Sequence, residues 1–305
     1  MDKIKLNNGT EIPVIGFGPG GAGYSAKYKN LPTNKIMNYT QRAWNKFISR
    51  PAVHKTYVSS ISSAIRNGFR LIDYSAAYGN GNLLRKGIER SGIERNKLTL
   101  TTRVSNTAQL RNTVEDEFFT QLKNLDLDYI DILMFHWPVT GCWQKTWKTM
   151  IELQKKGYVQ TLGVANCKRH HLEELMGISD VTPSINQFEV HPLFTQKDEI
   201  SFCKLNGITV EAYTPIARFD DRLVRLPLLK KLGEKYKKTI VQIVLRWHIQ
   251  SGIIPVVRAL SSNHQKENLD IFNFSLTDDE MTTIDNLNIN SRLRYDPDNC
   301  DFTIL

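Results

Sequence analysis

Val14-Ile15-Gly16-Phe17-Gly18-Pro19-Gly20-Gly21-Ala22-Gly23 is the stretch on which the choice of fold turns. The run up to Phe17 reads as a strand, and Gly18 to Gly23 matches the GxGxxG spacing that cradles a dinucleotide in a doubly wound sheet. That architecture also needs a helix opening there and an acid about twenty positions on, to hold the ribose hydroxyl. The chain continues instead through Tyr24-Ser25-Ala26-Lys27-Tyr28-Lys29-Asn30 to Pro32, and no Asp or Glu occurs from Ile12 to Ile72. The doubly wound reading fails, and the glycines are expected to form a flexible loop at the rim of a different α/β fold.

Outward from this stretch, short β-rich runs alternate with segments of helical period. After Val14–Gly18 the strand candidates are Arg70–Ser75, Leu98–Val104, Tyr129–His136, Thr161–Asn166, Ser184–Val190, Thr209–Thr214 and Ile253–Arg258. Helices are expected over Thr107–Leu125, Trp143–Lys156, Lys168–Met176, Asp198–Leu205, Leu226–Gln250 and His264–Phe272. In the first of these, Leu110, Val114, Phe118, Leu122 and Leu125 share one face. Eight strands alternating with helices favour a closed parallel (β/α)8 TIM barrel, which routinely exceeds the ~150 residues of an average domain. The 305 residues are therefore expected to form a single barrel domain. Lys3–Leu6 and Glu11–Ile12 flank Asn7-Asn8-Gly9-Thr10, a hairpin signal, and that β-hairpin would cap one end. Two parts fall outside the repeat: a long insertion after the first strand, residues 19–54, and a C-terminal tail, residues 288–305. In the insertion Ile36, Tyr39, Ala43, Trp44 and Phe47 recur at helical spacing, as a lid helix would.

Composition agrees with a globular chain: 41% apolar, 23% charged and 10% aromatic, enough for a large core. No run approaches the ~20 apolar residues of a membrane span, and the N-terminal Met1–Pro13 lacks a signal-like apolar run, so a soluble, cytoplasmic protein is expected. Cys142, Cys167, Cys203 and Cys300 form no CxxC pair, and Cys167 reads as a core thiol. The other histidines (His54, His170, His171, His191, His248, His264) lack metal-ligand spacing, so no metal site is expected. The net charge of +9 points to an anionic partner. The acid-free stretch carries Lys27, Lys29, Lys35, Arg42, Lys46, Arg50, Lys55, Arg66 and Arg70. It suits a basic lid over an anionic substrate or a cofactor pyrophosphate, and equally a solvated basic surface.

Barrel chemistry sits at the C-terminal ends of the strands. Those ends carry Asp73, Arg103, His136, Asn166, Gln187 and Tyr213, with Tyr78 in the loop after the second strand. An acid, a cation, a phenol and an imidazole around one mouth suit proton transfer to a carbonyl oxygen.

The motifs that carry these residues are Ile72-Asp73-Tyr74-Ser75-Ala76-Ala77-Tyr78-Gly79-Asn80, Phe135-His136-Trp137-Pro138, Gly163-Val164-Ala165-Asn166, Asn186-Gln187-Phe188-Glu189-Val190-His191-Pro192 and Ala212-Tyr213-Thr214-Pro215. In this order the chain resembles the aldo-keto reductases, from the hairpin to about residue 300, the insertion excepted. The resemblance implies reduction of an aldehyde or ketone with NADPH, NADH being the alternative. It implies Tyr78 as the acid that protonates the carbonyl oxygen, His136 as the group that polarises it, and Asp73 paired with the cation at position 103. It further implies Asn166, Gln187, Tyr213, Thr214 and Ile216 around the nicotinamide, Arg258, His264, Glu267 and Asn268 around the adenosine end, and Trp137 in the substrate wall. Trp143 and Trp44 are further candidates for that wall.

The chain departs from the family pattern at several positions. Arg103 stands where the family has lysine, keeping the charge but unable to give up a proton. Ala165 replaces an amide-binding serine, Gly81 an acid, and Val257-Arg258-Ala259 a Pro-Lys-Ser that grips the 2′-phosphate, while His264 replaces a second arginine. A cofactor-binding regulatory protein without turnover is therefore the alternative to a reductase, and nucleic-acid binding by the basic insertion is the weaker third reading. The substrate, with anionic carbonyls among the candidates, and the oligomeric state are not legible.

Overall fold

The computed structural model describes residues 2–21 and 50–303, and the expected lid helix over Ile36–Phe47 lies outside them. Strands β1 (Lys3–Lys5) and β2 (Glu11–Pro13) pair antiparallel with Ile4 opposite Ile12. Their turn closes through Leu6 N–H to Thr10 O (2.8 Å) and Gly9 N–H to Leu6 O (2.9 Å). Leu6 and Ile12 then meet Leu71, Ile132, Met134, Ile185 and Ile254 in a separate apolar cluster inside the barrel. At about 1.5–3 kcal/mol for each large aliphatic side chain buried, this contact is ample to hold the hairpin as the plug the sequence predicts.

Eight parallel strands close the barrel: β3 (Gly16–Phe17), β4 (Leu71–Asp73), β5 (Thr99–Val104), β6 (Ile130–Phe135), β7 (Val159–Ala165), β8 (Ile185–Glu189), β9 (Thr209–Tyr213) and β10 (Ile253–Val257), with β10 pairing both β3 and β9. Parallel strands covered on both faces must be apolar on both faces. The larger cluster, from Phe17 and Phe69 through Trp147 to Trp247, accordingly fills the space between strands and helices. Cys167 is buried there, and burial pushes its thiol well above the ordinary range, as a core thiol requires. Side chains alternate along a strand. Two residues beyond the inward Leu71 and Ile185, the same face therefore presents Asp73 and Gln187, above the aliphatic plug.

Two of the expected helices are each broken in two. Thr107–Leu125 is broken into Asn106–Arg111 and Val114–Leu125 because Asn112 adopts φ 54°. The break turns Leu110 out of the expected apolar face, leaving it 45% exposed, while Val114, Phe118, Leu122 and Leu125 are buried. Leu226–Gln250 is likewise two helices, Pro227–Tyr236 and Ile240–Gln250, separated at Lys237 with φ 53°. The second starts on a Thr239–Gln242 capping box, a signal present in the sequence. Among the described residues no helix is long and apolar enough to cross a membrane.

Candidate active site

Closure of the barrel brings the strand ends to one mouth. Asp73 ends β4, and the chain then turns through Ala76–Tyr78, a 3-10 turn stopped by Gly79 at φ 62°. That left-handed stop returns the chain and leaves Tyr78 only partly exposed, 38%, with its ring 6.2 Å from the Tyr74 ring and edge-on to it. Among the described residues the Tyr78 hydroxyl has no hydrogen-bond partner.

Below Tyr78, Arg103 of β5 is 2% exposed. One of its terminal nitrogens (Nη2) donates to Asp73 Oδ1 at 2.5 Å and to Gln187 Oε1 at 2.6 Å, and the other (Nη1) to the Tyr74 carbonyl at 2.8 Å. The planar fork thus ties β4 to β5 and β8, a reach that a single ammonium lacks. Burial works against the guanidinium charge, but Asp73 and its neighbours outweigh it and Arg103 is held firmly protonated. Burial raises the Tyr78 hydroxyl above its ordinary value, Arg103 pulls it down and Asp73 pushes it up, so it stays a phenol at neutral pH. His136, one residue past β6, is lowered to about 3 by burial and by the Arg103 and Arg294 charges. Its imidazole is neutral at any physiological pH, a hydrogen-bonding group rather than a proton reservoir.

A second chain of contacts runs beside the first. Asn166, at φ 61°, donates through Nδ2 to the His136 carbonyl at 2.9 Å and accepts the Tyr213 hydroxyl on Oδ1 at 2.7 Å. Thr214 follows in the left-handed region at φ 48°, an outlier for a β-branched residue, with its buried Oγ1 unpartnered among the described residues. Ala217, Arg218 and Phe219 also have positive φ, so the loop after β9 is held in sparsely populated conformations of about 1–3 kcal/mol each. Ile216, in the same loop, is half-buried against the main core.

The glycine loop passes over this arrangement. A Cβ at Gly18 would lie 2.9 Å from Val256 Cγ1 and 3.8 Å from Asp73 Oδ2, one at Gly20 3.8 Å from the Arg258 side chain, and one at Gly21 3.9 Å from the Tyr78 ring. Gly18 thus packs where a Cβ would press on Val256, Gly20 needs its φ of 66°, and Gly20 and Gly21 run beside Arg258 and Tyr78, while Ala22 and Gly23 lie outside the described residues. Arg258, past β10, is exposed beside Gly20. His264 and Glu267 are exposed on the helix Ser262–Leu269 that follows, where Asn268 is buried.

Not every expected residue is placed as the pattern implies. Trp137 is buried near the mouth with its ring 6.5 Å from Phe302 of the tail. Trp143 is instead buried in the main core, edge-on to His171 at 5.5 Å, because it opens the helix Trp143–Lys155 and faces the neighbouring helix. Trp44 lies outside the described residues. Gln187 does not present a free amide, since both its ends are engaged within the barrel.

Three further residues escaped the sequence reading. Glu211, on β9, is fully buried and accepts from Gln187 Nε2 at 2.8 Å. Its signal was an acid inside an otherwise apolar strand. Glu189, at the end of β8, accepts from the backbone N–H of Leu293 (2.7 Å) and Arg294 (2.9 Å) and pairs with His191 at 3.0 Å. The tail is thereby strapped across the mouth, and it brings Arg294 to act on His136 and Tyr78.

Comparison with known proteins is consistent with this geometry. A family model described as "Aldo/keto reductase family" matches residues 37–289. The chain is 41% identical over 249 residues to "Uncharacterized oxidoreductase YtbE" of Bacillus subtilis (strain 168), covering 80% of this chain and 88% of that protein. It is 33% identical over 297 residues to "Glyoxal reductase" of the same organism, covering 97% and 96%. The crystal structure of a Bombyx mori aldo-keto reductase in complex with NADP superposes with a TM-score of 0.81 at 27% identity, covering 97% of this chain and 96% of that one.

Proposed function

This chain belongs to the aldo/keto reductase family, and on that premise we propose that it is an NADPH-dependent reductase of small aldehydes or ketones, short 1,2-dicarbonyls first among them. The observation that carries the reading is the meeting of Tyr78 and His136 at one mouth with the buried Asp73–Arg103 pair, whose guanidinium acts on both. The substrate class is suggested by the relative named a glyoxal reductase.

The residues at the mouth fit a nicotinamide dinucleotide on three observations. Gly20 and Gly21 leave room beside Arg258 and Tyr78 that a side chain would occupy. Thr214 Oγ1 is a buried hydroxyl beside Tyr213 with no partner among the described residues. Arg258 is an exposed guanidinium at the rim, in the place barrels use for phosphate. Arg258 would hold phosphate, with His264, Glu267 and Asn268 at the adenosine end. Tyr213, Asn166, Thr214 and Ile216 would line the nicotinamide end. When bound, the nicotinamide supplies the hydride.

The chain's own residues do the rest. The neutral His136 imidazole donates a hydrogen bond to the carbonyl oxygen and fixes its orientation, and donors aimed at developing negative charge are typically worth a few kcal/mol. The Tyr78 O–H then gives its proton to that oxygen. The guanidinium field of Arg103 stabilises the phenolate left behind, and Asp73 keeps that guanidinium in place. Trp137 supplies an apolar wall.

A second reading has its own observation. Arg103 draws the Gln187 amide inward and cannot relay a proton, as suits a protein that binds cofactor without turnover. Oxidation of NADPH and NADH by glyoxal, methylglyoxal and simple aldehydes and ketones separates the two, with Tyr78→Phe alongside. The reductase reading expects turnover that Tyr78→Phe lowers at least a hundredfold with cofactor affinity kept. Cofactor binding without turnover would put the second reading first.

A further inference from the structure

We propose that Glu211 is a positioning residue for the reaction: through Gln187 it sets the placement of Arg103 and the charge balance of the Asp73–Arg103 pair beneath Tyr78. The proposal rests on the carbonyl-reductase reading above for its kinetic consequence, and on the buried geometry for the network itself.

Four side chains from four strands meet inside the barrel. Arg103 on β5 must donate, so Gln187 on β8 turns its Oε1 to the guanidinium at 2.6 Å. That choice fixes the amide and aims its Nε2 at acceptors, Glu211 Oε2 on β9 at 2.8 Å and Asp73 Oδ1 on β4 at 3.5 Å. Gln187 therefore cannot rotate to serve an outside partner without stranding either Arg103 or Glu211. Buried polar networks of this kind behave as units. Outside the network, Glu189 is also buried on β8 but is held by His191 and the tail backbone, and Arg294 and Arg258 add positive charge toward Tyr78. β3, β7 and β10 carry no titratable side chain, and Asp131 of β6 is engaged with Arg95 and the Leu100 N–H.

The network therefore holds two carboxylates against one guanidinium. Glu211 Oε1 has no partner among the described residues, which leaves that oxygen free to carry a proton. Burial, and then the Asp73 charge, lift the Glu211 carboxyl to about 7, with the Gln187 hydrogen bond and Arg103 acting in the opposite direction. While Glu211 is neutral, Asp73 alone opposes Arg103, and the field of that guanidinium, with those of Arg294 and Arg258, favours proton loss from Tyr78. Once Glu211 ionises, a second negative charge offsets that field and Tyr78 becomes a poorer acid. Rising pH is then expected to slow reduction through this group, well below the titration of any phenol.

The test is the pH dependence of kcat with methylglyoxal and NADPH for the wild type, Glu211→Gln and Glu211→Asp. Wild-type kcat should fall by about threefold as pH rises through the Glu211 titration, a buried charge being felt only partly in the transition state. Glu211→Gln should lose that limb while KM for both ligands is kept, and Glu211→Asp should restore a limb at a shifted pH. An unchanged limb in Glu211→Gln would overturn the proposal.

Carbon-13 NMR of the resting wild type, labelled at glutamate carboxyls and at the tyrosine ring, reads the same titration without turnover. It should show one buried glutamate titrating near neutrality, with the Tyr78 signal following it, and the Glu211→Gln spectrum assigns that glutamate wherever the variant folds. Absence of such a coupled titration would also overturn the proposal. An inactive wild type that shows the titration would refute the reductase reading alone.

Discussion

Replacing Arg103 by methionine is expected to destabilise the fold by about 3–5 kcal/mol at neutral pH, the usual result of stranding one half of a buried ion pair. The structure says what is stranded. Asp73 Oδ1 loses a 2.5 Å charged partner and keeps only the Gln187 Nε2 at 3.5 Å, while the Tyr74 carbonyl and Gln187 Oε1 lose their recorded donor. Taken singly these losses are worth about 1–3 kcal/mol each, more for the charge. They share one guanidinium, so they do not add. Methionine fills most of the volume, which keeps the cavity penalty small. Arg103 also acts to lower the raised Glu211 carboxyl, so its loss lifts that folded pKa further above the unfolded value. The penalty therefore grows as pH rises and shrinks in acid, where the proton supplies the missing charge. Urea unfolding at about pH 6 and about pH 8 should show a larger loss at the higher pH, with a Tm lowered on the order of 10 °C. A loss under about 1 kcal/mol, or one independent of pH, would refute the view that Arg103 holds the interior carboxylates together.

Two further expectations follow from named contacts. Glu189→Ala removes the acceptor of the half-buried Leu293 and Arg294 N–H groups and the partner of the buried His191, so a loss of about 3 kcal/mol and faster proteolysis of the tail are expected. Burial pushes the Glu189 carboxyl up, but His191 and the two backbone donors prevail and hold it below its ordinary 4.5. Its stabilisation is therefore present above that value and lost as pH falls through the lowered pKa, and the wild type and variant should converge in acid when unfolding is followed against pH. Asn112→Ala places a Cβ-bearing residue without local hydrogen bonding at φ 54°, costing about 1 kcal/mol, whereas Asn112→Gly should be neutral; equal unfolding midpoints for Asn112→Ala and the wild type would count against the helix break.

The fold was legible because its signals are local. Alternation of apolar strands with helical segments, counted eight times, admits few architectures, and the missing acid after Gly23 removed the main competitor. The hairpin was written in its Asn-Asn-Gly turn. The helix breaks at Asn112 and Lys237 were not legible, because apolar spacing continues across both and only the backbone geometry shows the left-handed residue. Trp143 illustrates the same limit, since a tryptophan near a mouth and one in the core look alike until the helix direction is known.

At the site, the residue types at the strand ends, the substitution at Arg103 and the family resemblance were all set by the order of amino acids alone. Which buried polar group answers which was decided only by closure. Gln187 answers Arg103 from 84 residues away, Glu211 answers Gln187 across neighbouring strands, and Glu189 answers Arg294 from 105 residues away. Local propensity carries no information about such partners. Hydrogen bonds are satisfied by whatever the barrel brings within about 3 Å, and a buried group must accept that partner or strand itself.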